Sequence, residues 1–110
     1  MLGTLGLKFY YGLYVLVVTK RLRVVLRIVV PYRDYKKLRP VLNELYAKGY
    51  KPVSMRRDVL FEDRRDLDPL EIVFRLEVTP TEARRIKRKI AETIRGTLGF
   101  FLMYRERSKT

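Results

Sequence analysis

Residues 21–30 alternate without a break, and that alternation restricts the fold more than any other feature of the chain. Leu22, Val24, Leu26, Ile28 and Val30 fall on one side, and Arg21, Arg23, Val25, Arg27 and Val29 fall on the other. Successive side chains of an extended strand point to opposite faces, so this segment reads as a strand with one face in a core and a basic outer face. Pro31 ends it, because proline has no N–H to give to a ladder. A second stretch, residues 70–78, has the same form. Leu70, Ile72, Phe74, Leu76 and Val78 face inward, and Glu71, Val73, Arg75 and Glu77 face outward.

Each of these strands is followed by a helical pattern. Residues 34–49 place Leu38, Val41, Leu42 and Leu45 on one stripe, with Gly49 suited to the position just past a helix end. Pro40 interrupts this pattern, since an interior proline removes a hydrogen bond and clashes with the preceding turn. Either the regular helix starts near Pro40 after an irregular first turn, or it bends there. After the second strand, Thr79 suits the N-cap, Pro80 the first helical position and Glu82 a capping box. Ala83, Ile86, Ile90 and Ile94 form the buried stripe, and Gly96 or Gly99 stops the helix.

Residues 52–62 read as an edge strand, 62–69 as a charged loop and 99–105 as a last, aromatic strand. The order β-α-β-β-α-β is the ferredoxin-like, split βαβ pattern of an α+β domain. Its sheet order, 4-1-3-2, makes the first and third strands central. Those are the two most apolar strands, as the topology requires. Residues 1–20 are expected to add an N-terminal strand, 21–105 to form the domain and 106–110 to fray. On the outer face, Val25, Val29, Val73, Phe101 and Met103 are expected to leave apolar surface that is covered by the N-terminal segment or by a second subunit.

Composition narrows the function. The chain has no cysteine and no histidine, which removes disulfides, thiolate chemistry, the usual zinc sites and the usual general base. It carries no phosphate-binding Walker loop, dinucleotide fingerprint or nucleophile elbow. The expectation is therefore a non-enzymatic protein with no cofactor, no metal and no small-molecule substrate. The eleven uncharged residues between Lys8 and Lys20 fall short of the ~20 that a membrane span needs. Without a basic leader or a small-residue cleavage site, the chain is expected to be cytoplasmic and without a membrane partner. Abundant Arg, Lys and Glu, with a single Asn and no Gln, fit a hyperthermophile source.

The formal net charge of +13 on 110 residues points to a polyanionic partner. The excess is uneven. Residues 84–89 read Arg-Arg-Ile-Lys-Arg-Lys, whereas residues 62–77 hold six acids against three arginines. Steps of 100° per residue put Arg84, Arg88 and Arg95 opposite the isoleucine stripe, flanked by Arg85 and Lys89. Lys36, Lys37 and Arg39 come from the neighbouring helix. Together these eight residues form a candidate phosphate-binding surface for RNA or DNA, contacting the backbone with little sequence specificity. The plain alternative is a solvated, arginine-rich helix partly neutralised by pairs such as Arg85–Glu82 and Arg88–Glu92.

Other surfaces are weaker candidates. The central strands expose no aromatic side chain for base stacking, and their charges suit cross-strand Arg–Glu pairing. Phe9, Tyr10, Tyr11 and Tyr14 could stack on single-stranded bases beside Lys8. Glu62, Asp63, Asp66 and Asp68 could hold Mg²⁺ for a nuclease, although Arg64 and Arg65 sit among them. A homodimer is expected, through residues 9–18 or the sheet face. An oligomeric regulatory or assembly module joined through that face is the alternative function.

Overall fold

The structure, a computed structural model, describes residues 20–107. The expected N-terminal strand, its aromatic run and the tail from residue 108 lie outside the described residues.

The first strand, β1, spans Leu22–Pro31, and the third, β3, spans Pro69–Val78. They pair antiparallel from Leu22↔Val78 to Pro31↔Pro69. The sheet order is β2-β3-β1-β4, with β2 at Ser54–Arg57 and β4 at Phe100–Arg105. This is the expected 4-1-3-2 order, and the domain is a ferredoxin-like α+β fold. Strand β2 is shorter than the sequence pattern suggests, because the chain leaves the edge after Asp58 donates to the Pro69 carbonyl.

Two helices cover one face of the sheet. The segment around Pro40 takes the irregular-start form: a 3₁₀ helix over Tyr32–Leu38 gives way to α1 over Arg39–Ala47. Pro40 thus falls in the first turn of α1, where its missing N–H leaves no bond unmade. A Schellman motif closes α1. Gly49 (φ 91°) donates to Tyr46 O, and Tyr50 donates to Leu45 O. Helix α2 spans Pro80–Ile94, and Thr79 Oγ1 accepts from the Glu82 N–H at its start.

The core lies between the helices and the sheet. Leu26, Ile28, Ile72, Phe74, Val78, Leu38 and Ile90 are fully buried there. Burial of such side chains stabilises a fold by about 1.5–3 kcal/mol each. Strand β4 corrects one expectation. Phe101 and Met103 pack against the core, while Phe100, Leu102 and Tyr104 share the open face with Val25, Arg27 and Val29. The reason is register, since Val29 stands opposite Phe100 and Val25 opposite Tyr104. Beyond β4, the Glu106 N–H donates to the Arg23 carbonyl, and its carboxylate lies 3.6 Å from Arg75.

Candidate nucleic-acid interface

Of the eight basic residues expected to form one surface, seven divide into three groups and Arg95 stands apart. Arg84 and Arg88 lie on the exposed side of α2, as the helical period requires, and neither has an ion-pair partner among the described residues. Lys87, part of the same basic run but not of the predicted set, is also exposed and unpaired among the described residues. Its signal was present in the basic run itself.

Arg85 and Lys89 turn toward α1. Both donate to Glu44, with Lys89 Nζ 2.7 Å from its Oε2, and Lys48 lies 3.8 Å from the same carboxylate. The Lys89 bond, then the Arg85 bond, hold the Glu44 carboxyl at about 2, well below its ordinary 4.5. The Arg85–Glu44 contact takes the place of the expected Arg85–Glu82 pair, and the expected Arg88–Glu92 pair does not form. A shared acid on the adjacent helix fixes the two helices against each other and withdraws two cations from the free surface.

Arg95 also departs from the wheel. It is the C-cap of α2 at φ −58°, ψ 132°, and Gly96 follows at φ 83°. With Thr97 donating to the Ile94 carbonyl, these residues make a type II turn that takes Arg95 off the helical stripe. It remains exposed, just past the end of the Arg84–Arg88 face.

The third group comes from the 3₁₀ helix and the start of α1. Lys36 and Arg39 are exposed without an acidic partner among the described residues, whereas Lys37 lies 3.3 Å from Asp34. The 3₁₀ helix begins at the sheet end where Pro31 meets Pro69. Helix α2 starts at the opposite end, beyond Val78, and runs back, so it finishes near the 3₁₀ helix. Lys36 and Arg39 therefore extend the basic layer beyond the C-terminal half of α2.

The open face of the sheet is electrically different. Arg23 lies 3.4 Å from Glu77, Arg27 lies 3.5 Å from Glu71, and Arg56 reaches Glu71 at 3.9 Å. Cross-strand pairing thus accounts for the basic residues of β1, as their spacing suggested.

The acids of residues 62–68 do not converge on a cation site. Asp66 is bonded by Arg64 at 3.2 Å. Asp68 is fully buried and accepts from the Leu60 and Phe61 amides and from Arg65 at 2.7 Å. Burial pushes its carboxyl up, but Arg65 and the two amides outweigh that and hold it below the ordinary value. Among the described residues, no three potential metal-ligating groups come together. Asp68 is therefore a loop anchor rather than one member of an acidic cluster. Arg57 completes the anchor, 3.4 Å from Asp68 and stacked 3.7 Å from the centre of the Tyr32 ring.

No helix among the described residues is long and apolar enough to cross a membrane. No family model matches the chain. No curated protein matches it either. Among solved structures, it is similar to the solution structure of the C-terminal domain of the MgtC protein from Mycobacterium tuberculosis. The two share 11% sequence identity at a TM-score of 0.51, over 79% of this chain and 89% of that one. This likeness shows the fold.

Proposed function

We propose that the protein is a small, non-enzymatic, cytoplasmic nucleic-acid-binding protein. Its helical layer would contact the phosphate backbone of RNA or DNA with little regard for sequence. One observation carries the reading. Arg84, Lys87 and Arg88 stand exposed on α2 without an acidic partner among the described residues, while the basic residues of the central strand β1 are paired with glutamates. Uncompensated cations on one side of a domain attract a polyanion, and each phosphate they neutralise releases condensed counterions. Arg95, Lys36 and Arg39 enlarge the surface. Arg85, Lys89 and Lys37 contribute less, because Glu44 and Asp34 already engage them.

The test is a salt series on the full chain with duplex DNA, duplex RNA and single strands. Contact with about four to six phosphates gives a log–log slope near −4 to −5 on duplex, with binding lost near ~0.5 M salt. Replacing Arg84, Arg88 and Arg95 together with Ala should weaken binding at least about tenfold and flatten the slope. Replacing Arg23 and Arg27 should change affinity by less than about twofold, because those side chains are spent on Glu77 and Glu71. A flat salt response, or a larger loss from the strand pair, overturns the proposal.

A further inference from the structure

We infer that a second copy of this chain packs on the open face of the sheet, along β4. At the end where β1 finishes, Val29, Leu60, Phe61, Leu98 and Phe100 line an apolar groove of about 230 Å³. Leu102 and Tyr104 continue this apolar strip along β4. The six side chains of the strip other than Val29 are between 46% and 79% exposed. At roughly 200 Å² for each fully exposed side chain, they present about 700 Å² of accessible surface. That approaches the ~800 Å² per partner of a stable protein–protein interface.

Charge identifies the occupant. A chain of net charge +13 repels its own copy wherever uncompensated cations face each other. The helical layer presents such cations. The open face offers Arg23–Glu77, Arg27–Glu71, Arg56–Asp58 and Arg75–Glu106, four arginines set against four carboxylates, with Arg21 the one further arginine, bonded to the Glu77 carbonyl oxygen. Two copies meet there with far less repulsion than at the helical layer, and the same strip on both suits a two-fold contact. An acidic partner would instead seek the helical layer.

The strip is also held in place. Asp68, fully buried, accepts from the amides of Leu60 and Phe61, and Arg65 and Arg57 support its carboxylate. Two exposed apolar side chains are thus displayed from a loop tied to the fold. A preorganised strip costs less to bury in a complex than a floppy one.

Sedimentation equilibrium of the full chain across ~1–500 µM tests the inference. A dimer is expected at about tens of micromolar, as for an interface of this area without deep pockets. Leu102→Glu, at a half-exposed edge position, should weaken association at least about tenfold with the circular dichroism unchanged. Arg84→Ala with Arg88→Ala should leave association unchanged or strengthen it. Hydrogen exchange gives a second reading that needs no variant. Amides 98–105 should gain protection as concentration rises, while those of α2 should not. A monomer throughout overturns the inference, whether residues 1–19 or another protein covers the strip. A dimer that is indifferent to Leu102→Glu, or protection confined to another surface, also overturns it.

Discussion

Glu44 is bonded by two cations of α2, Arg85 and Lys89, and approached by Lys48 at the C-cap of α1. Its folded-state pKa of about 2 lies below the ordinary 4.5. The stabilisation that follows is complete above about pH 4.5 and is lost as pH falls toward 2. Because the cations are themselves partly exposed, solvent screening limits it to about 1 kcal/mol. Urea denaturation of wild type and Glu44→Gln should therefore differ by ~1 kcal/mol at pH 7, with the gap closing between pH 4.5 and 2. A gap independent of pH would mean that Glu44 acts through packing alone. The same substitution frees Arg85 and Lys89, so it should tighten nucleic-acid binding by about two- to threefold while it destabilises the fold. Asp68 offers a contrast, because its partners are backbone amides as well as arginines. Asp68→Ala should lower the melting temperature more than Asp63→Ala, and it should release the 59–67 loop to faster hydrogen exchange.

The helix ends are where elements depend most on single residues. Thr79 caps α2 through the Glu82 amide, so Thr79→Ala should cost about 1 kcal/mol in a denaturant titration. Gly99 is constrained by contact rather than by φ. A Cβ there would lie 2.7 Å from Val30 Cγ1 and 2.8 Å from the Val29 carbonyl oxygen. Gly99→Ala should therefore push the start of β4 away from β1, at a cost of about 1–3 kcal/mol. These elements were legible in the sequence to very different degrees. Strands β1 and β3 and the start of α2 were readable because alternation and capping are local signals. Strand β4 was found but its face was not, since Phe-Phe-Leu-Met-Tyr is apolar at every position and only the pairing with β1 assigns the sides. The partner of Arg85 and Lys89 was hidden for a related reason. Glu44 lies 41 residues from Arg85, while a helical wheel offers only Glu82 and Glu92. Arg95 was misplaced because the wheel assumes a helix that the turn at Gly96 has already ended.

At the scale of the whole molecule, the two proposed surfaces lie on opposite sides of one layer pair. The helices cover one face of the sheet, and the apolar strip runs along the other. A dimer joined through the strip therefore has the order helices, sheet, sheet, helices, with both basic layers facing outward. Packed sheets stand about 10 Å apart, and helices add a further ~10 Å on each side, so the two basic layers are separated by roughly 30 Å and point in opposite directions. A duplex persists in direction over ~150 bp, so a short one cannot bend from one layer to the other. The dimer should not bind a single short duplex with avidity. It should bridge two. With a biotinylated duplex of about 20 bp on beads and a fluorescent one in solution, wild-type protein should retain the fluorescent duplex at ~0.1 M salt and release it near ~0.5 M. Leu102→Glu should abolish retention while still binding each duplex separately. The Arg84, Arg88 and Arg95 triple substitution should abolish retention and binding together. Bridging that survives Leu102→Glu would place the second nucleic-acid contact within one copy of the chain. Strong binding without any bridging in a proven dimer would show that the two basic layers face the same side.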